Sequence, residues 1–339
     1  MKAWHLTDTT GPEALELAEI PEPQPGPGQI RLKLRSSGLN HLDLWVSRGL
    51  PKPPSFPHIL GADGAGVVDA VGPGVSGFSY GDEIIIDPTI TCGRCARCRH
   101  DEVVYCDEFK ILGEHLDGTL TESVVIPTIN AVRKPATMSW EEAGSFGLVT
   151  VTALRMLERA EVGRGQRVLV VGVGGGVSAA AMSLALGFGA EVYVTSRSQS
   201  KIHWALSEGA TAGFLSDSDF GAEMSALGGA HVVIENVGPA TFRQSSKAAM
   251  PGGKILVCGG TSGSKVELSI PYLFFKQLEI VGSSMGNHSQ FARATNYVGS
   301  GKAKAYVDEV FPFEDLPDAM ARLDAGEQTG KVVISRHRP

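Results

Sequence analysis

Hydrophobic positions change their spacing along the chain. Over the first ~125 residues, short apolar runs separated by Gly and Pro predict strands at Gln29–Leu34, Gly66–Val71, Glu83–Ile86 and Ser123–Ile126. Pro21, Pro23, Pro25 and Pro27 predict an extended connector, because each proline disfavours helix in the residue before it. Gly72, Gly74, Gly77 and Gly81 punctuate the turns that follow. The pattern shifts at Ser139-Trp140-Glu141-Glu142, a capping box that predicts a helix running to about Ala160. Strand and helix signals then alternate through Arg167–Val171, Ser178–Leu186, Glu191–Thr195, Lys201–Glu208, His231–Val237, Phe242–Ala249, Lys254–Cys258 and Leu278–Ser283. Apolar strands alternating with short helices predict a parallel sheet covered on both faces. The last ~50 residues carry mixed signals, with a strand at Lys331–Ser335 predicted to rejoin the first region.

Length sharpens this into two domains, since 339 residues is about twice the ~150 of a typical domain. We place their boundary at 149/150, with residues 286–339 returning to the first domain. A chain of this size buries about 75% of its unfolded surface and needs no disulfide staples. The formal charge of −7 is spread along the chain, which argues against nucleic acid or an anionic membrane as partner. The uncharged stretch Val168–Ala190 is long enough to span a bilayer. Its glycines instead divide it into a strand, a turn and a helix. Met1–Glu19 holds no apolar core of signal-peptide length, so the expectation is a soluble, cytoplasmic protein.

Glycine is abundant, 42 residues or about 12% against a usual ~7%. Part of it lies in Gly172-Val173-Gly174-Gly175-Gly176-Val177-Ser178, directly after an apolar strand and before a helix. Such a turn lets the backbone approach a pyrophosphate at the helix N-terminus. The third glycine of the usual dinucleotide pattern is missing, its place taken by Val177; the alternative is an ordinary tight turn. At the end of the next strand an NAD site places an acidic residue for the ribose 2′-hydroxyl. Here the chain reads Ser196-Arg197-Ser198-Gln199-Ser200-Lys201, and Arg197 and Lys201 suit a 2′-phosphate, so NADP(H) is favoured over NAD(H). A solvated basic turn is the alternative.

Cys92, Cys95, Cys98 and Cys106 supply four thiolates within one loop, enough for a closed tetrahedral zinc site that is structural rather than catalytic. Disulfides or free thiols are the alternatives. Cys258, in an apolar strand, reads as a core residue.

Together these features resemble the medium-chain dehydrogenase/reductase superfamily, the zinc alcohol dehydrogenase and quinone oxidoreductase group. The resemblance covers nearly the whole chain. It includes Ser37-Gly38-Leu39-Asn40-His41-Leu42-Asp43, Leu60-Gly61-Ala62-Asp63-Gly64-Ala65-Gly66-Val67-Val68, the four-cysteine lobe at about 91–107, the glycine turn, Pro251-Gly252-Gly253-Lys254 and Val281-Gly282-Ser283-Ser284-Met285-Gly286. It implies an α/β fold, with a GroES-like β-barrel catalytic domain at 1–149 and a Rossmann doubly wound parallel-sheet domain at 150–285. Aligned to the family, the catalytic zinc ligands fall on Asn40, Ala62 and Phe146, none a good zinc ligand. The alcohol proton relay falls on Leu42 and Trp45. A structural zinc lobe without catalytic zinc looks like the quinone oxidoreductase and enoyl reductase branch. An activated alkene or quinone accepts hydride without a metal.

The resemblance makes Thr150 a residue that touches the nicotinamide, with helix capping or core packing as the alternative. Asn40 is either a donor to a developing enolate oxygen or a brace for a turn. His41 approaches the pyrophosphate or is a surface histidine. Gly172, Gly175, Gly176, Val177, Ser178, Ser196, Arg197, Lys201, Val237, Gly259 and Met285 complete the candidate cofactor contacts. Asp63 fits either a cleft hydrogen bond or a turn and stays unassigned. The expected substrate is a small carbonyl-conjugated or quinone molecule, and the expected assembly a homodimer or dimer of dimers. A zinc-type alcohol dehydrogenase acting on alcohols or aldehydes, and a nucleotide-binding protein of low turnover, remain as alternative functions.

Overall fold

A computed structural model describes residues 1–336. Along the chain come β1 (Lys2–Leu6), β2 (Leu15–Glu19), β3 (Gln29–Gly38), α1 (His41–Ser47), β4 (Ala65–Val71), β5 (Glu83–Ile86), β6 (Thr89–Ile90), α2 (Ala96–Arg99), β7 (Lys110–Ile111), β8 (Ser123–Pro127), β9 (Ala131–Arg133), α3 (Trp140–Ala143) and α4 (Gly147–Arg159). They are followed by β10 (Arg167–Val170), α5 (Gly176–Gly187), β11 (Glu191–Ser196), α6 (Gln199–Ser207), β12 (Ala212–Leu215), α7 (Phe220–Ala226), β13 (Ala230–Glu235), α8 (Phe242–Ala248), β14 (Ala249–Val257), α9 (Ile270–Phe275) and β15 (Glu279–Gly282). The chain ends with α10 (His288–Gly299), β16 (Val307–Pro312), α11 (Leu316–Ala325) and β17 (Lys331–Ser335).

Two compact units result. The first holds Met1–Val151, Gly286–Ser300 and the chain from Ala305 onward; the second holds Thr152–Met285 and Gly301–Lys304. In the first, a seven-stranded sheet runs β16-β17-β3-β4-β5-β9, with β8 paired to β3. The C-terminal strand lies within this sheet. β17 lies antiparallel to β3 with Ile334 opposite Ser37, and Val332, Val333 and Ile334 are fully buried.

The second unit is one parallel six-stranded sheet in the order β12-β11-β10-β13-β14-β15. Counted within the unit this is 3-2-1-4-5-6, the doubly wound order of dinucleotide-binding sheets. Val168, Leu169 and Val170 are fully buried, as expected for a central parallel strand covered on both faces. The uncharged stretch Val168–Ala190 is therefore strand, turn and helix. Among the described residues no helix is long and apolar enough to cross a membrane.

The helix predicted from Ser139 to about Ala160 is broken into α3 and α4. The capping box of Ser139 and Glu142 forms as predicted. The break falls where β3 presses against the chain. A Cβ on Gly144 would lie 2.0 Å from Ser36 Oγ, and one on Gly38 would lie 2.6 Å from Ser145 Cα. Backbone packed that closely has no room for a continuous helical cylinder.

Candidate functional site

The second unit builds a cradle at the carboxyl end of its first strand. Gly172 (φ 74°) and Gly174 (φ 110°) occupy the left-handed half of backbone space, and α5 opens at Gly176 with Gly175 as its N-cap. The first N–H groups of α5, including those of Val177 and Ser178, lack intrahelical acceptors and add a positive dipole end. Gly172 N–H donates to Thr195 Oγ1 (3.1 Å) and Val173 N–H to Thr195 O (2.7 Å). These bonds join the glycine turn to the end of β11, where Ser196 and the exposed Arg197 follow. A Cβ on Gly174 would lie 2.6 Å from Lys201 Cδ, so the Lys201 stem lies along the turn. A Cβ on Gly172 would lie 2.9 Å from Val237 Cγ2. Val237, Gly259 and Met285 follow the carboxyl ends of β13, β14 and β15, the side on which doubly wound sheets bind ligands. The Ser178 hydroxyl has internal duties instead, donating to Val171 O (3.0 Å) and accepting from Asn236 Nδ2 (3.1 Å).

The turn after β13 is held by Glu235, whose buried carboxylate accepts from Val237 N–H (2.8 Å), Gly238 N–H (3.0 Å) and the hydroxyls of Thr241 (3.0 Å) and Ser245 (2.5 Å). Cys258, just past the end of β14, is half-buried rather than in the strand core; desolvation raises its thiol to about 12.

The first unit carries the cysteine lobe. The sulfur of Cys98 lies 3.8 Å from that of Cys92 and 3.5 Å from that of Cys95, and the sulfurs of Cys106 and Cys92 are 3.6 Å apart. All four sulfurs lie within 4.8 Å of one another. A tetrahedron with Zn–S of about 2.3 Å has S···S edges of about 3.8 Å, so the donor set fits a zinc ion. Backbone N–H groups of Arg94 and Cys95 lower the Cys92 thiol to about 6, toward the thiolate that a metal binds. Among the described residues no second group of three or more His, Cys, Asp or Glu side chains is disposed to hold a metal.

Asn40, Asp63 and Thr150 also belong to this unit, together with Asp43 of the Ser37–Asp43 motif and Lys331, which no motif singled out. Asn40 caps α1 and Asp43 completes its capping box; the Asp43 carboxylate accepts from Asn40 N–H (2.8 Å) and Gly61 N–H (2.9 Å). Desolvation pushes the Asp43 carboxyl up to about 6, against those N–H groups and the charge of Lys331. The Asn40 amide donates to Asp63 Oδ2 (3.0 Å) and to Gly38 O (3.4 Å), and its oxygen accepts from Lys331 Nζ (2.5 Å). Lys331 Nζ also donates to Asp63 Oδ2 (3.0 Å). Asp63 Oδ1 accepts from Leu148 N–H (2.7 Å) in the first turn of α4, which carries the buried Thr150. Of the two roles the sequence left open for Asn40, this geometry favours the brace, because its amide hydrogens are directed at protein acceptors. Asp63, unassigned from sequence, is the hub. Ala62 and Phe146 are buried and apolar, and Phe146 stacks on Phe291 at 6.1 Å. His41 opens α1, half-buried, with its ring 6.4 Å from that of Trp45. The sequence signal for Lys331 is a lysine opening the otherwise apolar run Lys331-Val332-Val333-Ile334.

A doubly wound sheet with a glycine-rich first turn, in one chain with a seven-stranded unit bearing a four-cysteine lobe, is the architecture of a dinucleotide-binding protein of the dehydrogenase type. Comparison with known proteins agrees. Residues 26–136 match the alcohol dehydrogenase GroES-like domain, and residues 176–299 match the zinc-binding dehydrogenase family. A zinc-type alcohol dehydrogenase-like protein of Schizosaccharomyces pombe is 30% identical, over 96% of this chain and 96% of its own. The acryloyl-coenzyme A reductase of Metallosphaera sedula is 29% identical, over 95% of this chain and 97% of its own. A crystal structure of an NAD-dependent alcohol dehydrogenase superposes with a TM-score of 0.96 at 40% identity, covering 99% of this chain and all of that one. The chain belongs to the medium-chain dehydrogenase/reductase superfamily, with a GroES-like unit and a Rossmann-type unit.

Proposed function

We propose that this protein is an NADPH-dependent reductase that delivers hydride to a quinone, or to a C=C bond conjugated with a carbonyl, without a catalytic zinc. The observation that carries the reading is the set of partners around Asn40. Where the family resemblance puts a metal ligand, this chain has an amide bound to Lys331 and Asp63, with Ala62 and Phe146 at the other two places. Alcohol oxidation requires stabilisation of an alkoxide, and here the one carboxylate, Asp63, is occupied by Asn40, Lys331 and the Leu148 N–H rather than joined by two further zinc ligands. An activated alkene or quinone already carries its own electron-withdrawing group.

Bound NADPH supplies the hydride. Gly172, Gly175, Gly176, Val177 and Ser178 receive the pyrophosphate through backbone N–H groups, as the positive φ of Gly172 and the opening of α5 allow. Arg197 and Lys201, with the hydroxyl of Ser196, take the 2′-phosphate; no carboxylate stands at the end of β11 to repel it. Val237, Gly259 and Met285 line the nucleotide, and His41 is assigned to the pyrophosphate. Thr150 orients the reacting groups, Asn40 acts within the brace described above, and water supplies the final proton. Cys92, Cys95, Cys98 and Cys106 hold one structural zinc.

The protein is proposed to work as a homodimer or a dimer of dimers. Ile270, Phe274 and Phe275 of α9 are exposed, and α9 precedes β15, an edge strand of the parallel sheet. Mass measurement in solution checks this, and a monomer at working concentration overturns it.

A panel of quinones, enones, aldehydes and alcohols, assayed with NADPH and NADH alongside zinc analysis, tests the main reading. One zinc per chain with reduction of enones or quinones supports it. Two zinc ions per chain with chelator-sensitive alcohol oxidation overturns it in favour of a zinc-type alcohol dehydrogenase. Tight NADPH binding with no turnover across the panel overturns it in favour of a nucleotide-binding protein.

A further inference from the structure

Lys331 is a buried ammonium carried at the start of the last strand. Its side chain is 5% exposed, and that of Asp63, its ion-pair partner, 1% exposed. With Asn40 and Asp43 these residues tie four separate stretches together: the turn before α1, the loop through Gly61 and Asp63, the N-terminus of α4, and β17. Two carboxylates and one ammonium out of water are a poor way to stabilise a fold, because desolvation offsets most of their attraction. Apolar side chains of similar volume would serve at least as well. What such a cluster does provide is fixed geometry, since each group has its partners at set distances and directions.

The geometry converges on the first turn of α4. Asp63 Oδ1 accepts from Leu148 N–H, and an anion at a helix N-terminus is further favoured by the dipole. Gly147 makes this approach possible, for a Cβ there would lie 3.0 Å from Asp63 Oδ1. Thr150 follows within the same turn, its N–H bonded to Phe146 O (2.9 Å). Lys331 in turn fixes both oxygen-bearing partners, Asp63 and Asn40, so the carboxylate cannot swing away from the helix.

We propose that Asp63 and Lys331 are positioning residues for hydride transfer: Asp63 sets the first turn of α4 and with it Thr150, and Lys331 locks Asp63 and Asn40 in place. The proposal rests on the reductase reading above, in which Thr150 orients the reacting groups. Misplacement of a reacting group by about 1 Å costs on the order of 100-fold in rate.

The test compares Asp63→Asn, Lys331→Met and the double variant with the wild type. The Asn variant keeps the shape of Asp63 but turns an amide N–H toward Lys331 or the Asn40 amide, while Met keeps the length of Lys331. Measured quantities are zinc content, melting temperature, NADPH binding by fluorescence titration, kcat and KM, and the primary isotope effect with NADPH deuterated at the transferred position. Both single variants should lose about 10- to 100-fold in kcat, with KM and NADPH affinity within about 3-fold and a larger isotope effect. The double variant, which removes the Asp63–Lys331 charge pair together but leaves the Asp43 carboxyl, should recover part of the melting temperature lost by the single ones while kcat stays low. A double variant that regains both stability and kcat would show a purely structural pair and overturn the proposal. If a single variant does not fold, the double one decides.

A second readout needs no substrate. Asp63→Asn should speed amide exchange at Leu148, Val149 and Thr150 relative to the rest of α4, and unchanged exchange there overturns the proposal. If the wild type oxidises alcohols instead of reducing enones, the reductase reading fails; kcat and the isotope effect on that reaction then decide the positioning role separately.

Discussion

Replacing Glu235 tests whether the turn after β13 is held by its buried carboxylate. Four donors converge on that group: the N–H of Val237, the N–H of Gly238, and the hydroxyls of Thr241 and Ser245. Hydrogen bonds to a charged group contribute about 1.5–3 kcal/mol each. In Glu235→Gln the oxygen facing Val237 and Gly238 can remain, and the Ser245 hydroxyl can rotate to accept from the new amide. The loss is then the charge assistance, about 1–2 kcal/mol. In Glu235→Ala two backbone N–H groups and the Ser245 hydroxyl are orphaned; Thr241 keeps Gly238 O at 3.3 Å. At about 1–3 kcal/mol per orphan, plus the cavity, the cost is at least about 4 kcal/mol. Against a typical total of 5–15 kcal/mol, that brings the second unit close to its limit. Denaturant titrations followed by hydrogen exchange at the amides of β13 and β14 read this unit specifically. NADPH affinity should fall alongside, because Val237 in the same turn packs against Gly172. An Ala variant costing less than about 1 kcal/mol, or a Gln variant costing as much as Ala, would refute the reasoning.

Three other outcomes are expected. On the proposed NADPH assignment, Arg197→Ala combined with Lys201→Ala should weaken NADPH by about 10- to 100-fold while changing NADH little; equal losses in titrations of both nucleotides remove the assignment. Cys106→Ser should drop bound zinc to none and open residues 91–107 to protease, whereas retained zinc by metal analysis would break the four-sulfur assignment. The raised Asp43 carboxyl makes the native state hold a proton that the unfolded chain has lost between about pH 4 and 6, so the folded state is penalised as pH rises through that window. Asp43→Asn should therefore cost about 1 kcal/mol more near pH 5 than near pH 7, and a cost independent of pH in denaturant titrations would contradict the burial.

How far the fold was legible depended on how completely each segment is buried. β10 and β13 are covered on both faces, so their centres, Val168–Val170 and Val232–Ile234, read as apolar runs. β12 gives little strand signal because it is a four-residue edge strand that opens on Ala212 and Gly213; α6 lies directly on it, with Ile202 Cγ2 2.4 Å from where a Cβ on Gly213 would stand. In the C-terminal return, α11 buries Leu316, Ala319, Met320 and Leu323 at helical spacing, but Asp318, Arg322 and Asp324 dilute the pattern. The break between α3 and α4 is decided by the approach of β3, about a hundred residues earlier in the chain, which no local window contains.

The same contrast separates the candidate sites. The cysteine lobe and the glycine turn are made of residues close in sequence, because one loop must wrap one ion and one turn must approach one phosphate; spacing alone records them. Asn40, Asp63 and Lys331 meet across gaps of 23, 268 and 291 residues. Their residue types are ordinary when taken singly, and a turn asparagine or a strand-leading lysine is usually solvated. What makes them a site is their burial together, with the charges paired and the amide caught between them. The pairing of β17 with β3 is what brings Lys331 beside Asn40. A variant that weakened this pairing at Val333 or Ile334 would disturb the cluster without altering any residue in it.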